Sequence, residues 1–248
     1  MLATLISSVI ALRAAKIVLE FVAAVLITDF VSGLVHWFED AYGREDFPIT
    51  GRWITRLNVL HHHEPRSFVR NTWWQSSWDL TLVAAVVVVA AWWMGWLYWP
   101  VWVFAVLGAN ANQIHKWAHR TPRENGKLIT WLQRFHLVQS PRHHAAHHTD
   151  PKNSHYCVLT DFLNPVLDRI RLWDGFEFVL LHLLGLRRRT DPSVRHREAY
   201  VGDVAGEAAP TGEFTSPVDG PSGRPTAHAS EVDDTVGNIR AAHSLSRA

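Results

Sequence analysis

Apolar residues come in three long runs along this chain, followed by amphipathic patterning and then by polar sequence. Residues 17–37 form the first run, with Glu20 and Asp29 as its acidic residues. A helix rises about 1.5 Å per residue, so a run of this length reaches across a hydrocarbon core of roughly 30 Å. The second run, 80–99, carries no charge. Pro100 forces a tight reversal, and 101–119 returns, apolar at first and then polar through Asn110, Asn112, Gln113, His115 and Lys116. The pattern therefore predicts a first span over 17–37 and a membrane hairpin of 80–99 and 101–119. Residues 1–16 are apolar but interrupted by Arg13 and Lys16. With no basic start and no clean cleavage site, they read as a separate N-terminal segment rather than a removed signal peptide.

Beyond the hairpin the spacing predicts helices that lie on the membrane, over about 128–186. One is 128–138, bearing His136. Another opens at Pro141. A third, 162–186, mixes apolar residues with Arg169, Arg171, Asp174 and Glu177, the pattern of a surface-lying helix. Arg187, Arg188 and Arg189 read as a solvated or headgroup-facing charge run. From about Val201 the chain is mostly Gly, Pro, Ser, Thr, Ala and acid. Such composition buries too little apolar surface to offset chain entropy, which predicts a disordered tail over 191–248. The fold class expected is all-α: a multi-pass integral membrane domain over 17–190, with a histidine-rich helical cap.

Composition sharpens this. All thirteen tryptophans precede residue 174, and many flank the apolar runs, where amphipathic rings favour the membrane–water interface. A net charge of +1 gives no footprint for nucleic acid. The single cysteine, Cys157, excludes an internal disulfide and cysteine-rich zinc or iron–sulfur sites. The short turn around Pro100 has no Lys or Arg, whereas the segments on either side of the hairpin are rich in both. The positive-inside rule then places the histidine-bearing ends in the cytoplasm, with Arg13 and Lys16 a mild conflict.

Histidines carry the candidate chemistry. His144, His147 and His148 stand at i, i+3, i+4, which on a helix places them on one face within reach of one metal centre. His115 and His119 repeat the i, i+4 spacing. His61, His62 and His63 form a third group, and His36 stands alone on the first span. With His136 these make ten candidates, too many for one zinc ion and about right for two irons. No side chain can take hydrogen from an unactivated alkyl C–H bond, whereas non-haem iron with dioxygen can. The zinc-protease pattern HExxH is absent, because Pro65-Arg66-Ser67 follows Glu64. No glycine-rich dinucleotide loop is present, so electrons must come from a separate protein, of cytochrome b5 or ferredoxin type. Asp29 and Asp40 share the His36 face. Asp40 is expected to hold a ligand ring, direct ligation being the alternative. Asp29 is expected to bond Ser32 or a neighbouring helix, or to face a headgroup.

The stretches Asp29-Phe30-Val31-Ser32-Gly33-Leu34-Val35-His36-Trp37, His61-His62-His63-Glu64-Pro65, Asn112 to His119 and His143 to His148 resemble the plasmanylethanolamine desaturase family, also called Kua/CarF-like or lipid-desaturase-domain proteins. Tyr156-Cys157 and Asn164-Pro165-Val166-Leu167-Asp168 are similar to its downstream signature. The resemblance implies a di-iron enzyme that uses dioxygen to desaturate the alkyl-ether chain of a phospholipid, giving the vinyl ether of a plasmalogen. His36, His61, His62, His115, His119, His144, His147 and His148 are the expected catalytic ligands, with His136 a further metal candidate. Asp29, Asp40, Asn112 and Asp168 are the expected supports. His63 falls at a variable position, and Asn71 stands where animal members carry histidine, so it is not expected to be an essential ligand. Three other functions fit parts of the pattern: an acyl-lipid desaturase or hydroxylase with the same metals, a zinc-dependent membrane hydrolase, and a non-catalytic membrane metal-binding protein.

Overall fold

The computed structural model describes residues 2–189. The tail expected over 191–248 lies outside the described residues. Among the described residues every regular element is helical. The nine α-helices are α1 (Leu2–Tyr42), α2 (Arg56–His63), α3 (Trp73–Trp93), α4 (Trp99–Ala109), α5 (Ala111–Ala118), α6 (Pro122–Arg134), α7 (Pro141–His147), α8 (Asn164–Arg169) and α9 (Leu172–Leu184). Two of them, over Ile6–Tyr42 and Trp73–Trp93, are long and apolar enough to cross a membrane, and α4 is a shorter apolar helix.

The first helix is longer than its apolar pattern suggests. It runs unbroken from Leu2 through Arg13 and Lys16, so residues 2–16 are helical and continuous with the predicted span. Lys16 and Glu20 pair one turn apart at 2.6 Å, and Glu20 also accepts the indole N–H of Trp99 at 3.1 Å. That contact fastens α1 to the start of α4. α3 begins at a capping box in which Thr72 and Gln75 satisfy each other's orphan N–H groups. It ends at Trp93, before Gly95 at φ +71°.

The return helix of the hairpin is not continuous. Asn110 (φ −102°, ψ 6°) separates α4 from α5. Its amide donates to the Val106 carbonyl and its side-chain oxygen accepts from Trp73, so the break is held from within the hairpin. Downstream, α6 stops at Arg134 and not at Val138, leaving His136 in a left-handed turn at φ 59°. The single helix expected over 162–186 is two, divided by Arg171 at φ 54°.

Residues 156–160 are the most buried stretch and belong to no helix. Buried backbone groups must find partners, and here distant polar side chains supply them. Asp29 accepts the Leu159 and Thr160 N–H groups at 2.8 and 3.2 Å. Ser32 accepts Val158 N–H at 3.3 Å. Asn164 accepts Cys157 N–H and donates to the Cys157 carbonyl, which Gln139 also caps at 2.7 Å. The segment separates two apolar cores. One contains Trp37, Tyr156, Cys157, Leu167 and Trp173, and the other Ala111, Ile114, Val158 and Leu159.

Candidate metal centre

Two groups of ligands lie side by side where α1, α2, α5 and α7 converge. The first is His61, His115, His119, His144 and His148. The second is His36, Asp40, His62 and His147. Within each group the ligand atoms lie within 4.8 Å of one another. An ion with metal–nitrogen bonds of about 2.1 Å holds its donors no more than about 4.2 Å apart, so each group can close on one ion with small side-chain movements.

Helical geometry decides which ring goes where. Successive residues on a helix are rotated by about 100°. Neighbouring His61 and His62 on α2 therefore point to different groups. The same holds for His147 and His148 at the end of α7, so the single centre expected for His144, His147 and His148 is divided: His144 and His148 serve the first group, His147 the second. The i, i+4 pairs His115/His119, His144/His148 and His36/Asp40 each stay together.

In the first group His115 and His144 Nε2 are 2.9 Å apart, His144 and His119 2.8 Å, and His144 and His148 3.1 Å. His61 packs edge-on to His119 and His148, and neither of its buried ring nitrogens has a hydrogen-bond partner. In the second group Asp40 is the centre. Its carboxylate lies 3.7 Å from His36 Nε2, 3.6 Å from His62 and 3.4 Å from His147, and Asn58 donates at 2.5 Å to Oδ1, the oxygen that faces His62. Sequence reasoning expects Asp40 to hold a ligand ring, with direct ligation as the alternative, and the fold groups its oxygens with the imidazole nitrogens. The rings of this group are steadied from behind by backbone carbonyls: Tyr156 for His36 Nδ1 at 3.0 Å and Ser154 for His147 Nδ1 at 2.8 Å. Such bonds fix tautomer and ring orientation in metal sites. Carbonyl partners leave no mark in a sequence.

The donors suit a metal pair. Burial, and then the neighbouring imidazoles, push His61, His144 and His147 well below the ordinary histidine range, and His148 down to about 2. The rings are thus neutral with lone pairs available. Lone pairs packed this closely, and the unpartnered nitrogens of His61, are costly to bury unless a cation draws them together.

His136 is not brought to either group. It is exposed and its Nδ1 meets Asp161 at 2.6 Å, because α6 ended one residue before the turn that carries it away. His63 joins neither group. The expected supports act at different ranges. Asn112 donates to the Ser76 carbonyl at 2.5 Å, tying α5 to α3. Asp168 accepts His155 N–H at 3.2 Å and faces His155 Nδ1 at 2.9 Å, holding the turn whose carbonyls position His36 and His147. Asp29 acts farther off, through residues 159 and 160. The arginine run is not wholly solvated: Arg188 donates to Glu177 and to the Tyr156 hydroxyl, and Arg189 to the carbonyls of Asp40 and Ala41. Lys116 is buried with its ammonium on the Asn71 carbonyl at 2.7 Å, which gives Asn71 a backbone role and not a ligand's.

A cavity of about 300 Å³ opens between α1, α3 and α4 and ends on His36, His61 and His115. Val31, Val83, Ala84 and Phe104 line its body, and Asn71, Gln75, Asp79 and Asn112 are among its polar residues.

Comparison with known proteins gives the family. The family model described as "Lipid desaturase domain" matches residues 25–191. Plasmanylethanolamine desaturase 1 of Mus musculus is 33% identical over 187 residues, covering 71% of this chain and 69% of that protein. Plasmanylethanolamine desaturase of Myxococcus xanthus is 31% identical, covering 75% and 68%. Fatty acid desaturase 4, chloroplastic, of Arabidopsis thaliana is 32% identical, covering 68% and 53%. No solved structure matches. With the matched region spanning both ligand groups and the helices that carry them, the chain belongs to the lipid desaturase domain family and is a desaturase, an oxidoreductase.

Proposed function

We propose that this protein is a membrane di-iron desaturase that uses dioxygen to convert the sn-1 alkyl ether of plasmanylethanolamine to the vinyl ether of a plasmalogen. One observation carries the proposal: the cavity from the apolar helices ends on the ligands themselves, with His36, His61 and His115 as its inner wall. An aliphatic chain fills that volume, and its reacting carbons meet the ligand groups with little water present. His61, His115, His119, His144 and His148 would hold one iron, and His36, Asp40, His62 and His147 the other. Bound there, the pair would supply the oxygen chemistry that breaks two C–H bonds. The chain's own residues bind, orient and exclude. Val31, Val83 and Phe104 fix the alkyl chain, while the carbonyls of Tyr156 and Ser154 keep His36 and His147 from turning.

The same proposal places the site at the cytoplasmic face of a multi-pass protein. The Trp99–Glu20 contact marks the far end of the hairpin. From Glu20 to His36 α1 rises about 24 Å, close to the depth of a hydrocarbon core. Electrons would come from a separate carrier protein. The relative named as a chloroplastic fatty acid desaturase supports a second reading, acyl-chain desaturation at the same centre.

The test is expression in a host that makes ether lipids but no plasmalogens, with iron content measured on the purified protein. Acid-labile lipid that releases aldehyde is the result expected. Acid-stable alkenes would favour the acyl reading, and zinc without iron would overturn the oxidative one.

A further inference from the structure

A second cavity, about 620 Å³, lies against the neighbouring flank of α1. Leu34 and Phe38 of α1, Phe47 of the following connection, and Val179 and Leu180 of α9 line it. Three residues, Val35, Glu39 and Ile54, belong to the walls of both cavities. Among them Glu39 alone is ionisable. Two apolar spaces thus diverge from one seam that carries a single polar group, and the seam adjoins the ligand His36.

We propose that the second cavity holds the second hydrocarbon chain of the same phospholipid whose first chain enters the cavity at the metal ligands. The inference rests on the desaturase function proposed above and deepens it. Desaturation beside an ether oxygen takes place at the first two carbons of the alkyl chain. The glycerol is therefore held within a few atoms of the ligand groups, and the chain on its neighbouring carbon has to leave from the same place. The first cavity has room for one tail. The seam at Val35, Glu39 and Ile54 is the exit: Val35 precedes the ligand His36, and Glu39 lies one helical turn beyond Val35. Past it the wall is apolar apart from two threonines, Thr50 and Thr55. Phe38, Phe47 and Val179 are partly exposed, so the far end of a long chain continues from the cavity into the bilayer. A substrate divided between the two cavities in this way is fixed by both tails, and its C1–C2 bond cannot slide past the ligands as a single chain could.

Photo-crosslinking of the full chain in lipid nanodiscs tests this. Two sn-1-alkyl, sn-2-acyl ethanolamine phospholipids are used, one with a diazirine in the sn-1 chain and one with it in the sn-2 chain. The sn-1 probe is expected to label peptides containing Val83 or Phe104, and the sn-2 probe those containing Phe47 or Val179, both competed by unlabelled lipid. Val179→Trp, which narrows the second cavity at its Val179 wall, is expected to weaken the sn-2 label there and keep the sn-1 label. It should also reduce the enzyme's preference for an sn-2 oleoyl over an sn-2 acetyl substrate about tenfold. Competed sn-1 labelling with sn-2 label beside Val83 or Phe104, or with sn-2 label that excess lipid does not compete, overturns the second-chain site in the wild-type protein, whatever the variant does. Loss of competed sn-1 labelling from the first cavity would instead overturn the desaturase reading on which it rests.

Discussion

Gly33 lies directly beneath Cys157. A Cβ on Gly33 would come within 2.6 Å of the Cys157 Sγ and 3.0 Å of its backbone nitrogen. This close approach lets residues 156–160 press against α1, which sets the distance between the Tyr156 carbonyl and His36. Gly33→Ala must push the segment outward. Overpacking of this kind costs about 1–3 kcal/mol, and the His36 ring loses its brace. We expect lower thermal stability in detergent and reduced iron content, partly restored in Gly33→Ala/Cys157→Gly. Unchanged iron in the single variant would show that the brace is dispensable.

Asp29 should behave as a clamp for the same segment. Asp29→Ala leaves the Leu159 and Thr160 N–H groups buried without acceptors, at about 1–3 kcal/mol each. Asp29→Asn keeps one acceptor oxygen and is expected to be milder. The check is chemical denaturation of both variants. Equal loss would mean that the carboxylate's charge, and not its two acceptor positions, is what matters.

The two ligand groups predict two classes of variant. His61→Ala and His144→Ala are expected to empty one metal position, and His36→Ala and Asp40→Ala the other. Each should hold about half the iron of the parent and show no product, because the chemistry needs both positions. His136→Ala is expected to keep full iron content. Asp40→Ala with a full complement of iron would return Asp40 to a supporting role, in which losing the partner typically costs tenfold to a hundredfold in affinity or activity.

Arg188 tests the end of the domain. It joins Glu177 of α9 to the Tyr156 hydroxyl and, at 3.4 Å, the Lys152 carbonyl. Arg188→Ala leaves a half-buried carboxylate and a buried phenol without their shared donor, so unfolding should shift to lower denaturant. Arg187→Ala, at an exposed neighbour, is the control and should leave it unmoved.

Much of the centre was legible because helical ligands repeat at fixed spacing: the i, i+4 pairs of α5 and α7 and the His36/Asp40 pair are each visible in the bare sequence. The partition of rings between two positions was less so. It depends on the 100° step between His61 and His62 and between His147 and His148, together with where α2 and α7 dock. Amphipathic periodicity carried the expected helix past Arg134 and drew His136 in, since apolar spacing cannot register a left-handed turn. The arginine run reads as solvated or headgroup-facing because charge reads as surface, while Glu177 and Tyr156 wait at 11 and 32 residues' distance. Residues 156–160 were opaque for the same reason: their hydrogen-bond partners sit at positions 29, 32, 139 and 164.

Those partners also impose an order in time. Synthesis proceeds from the N-terminus, and domains form as their sequence emerges. α1, with Asp29, therefore emerges well before Leu159 and Thr160, 130 and 131 residues later, have left the ribosome. An ionisable group within an apolar helix is costly until it is partnered. The newborn helix thus carries an unmet demand that only the far end of the domain can answer. A chain broken off before residue 159 would retain its apolar helices and leave Asp29 without these partners.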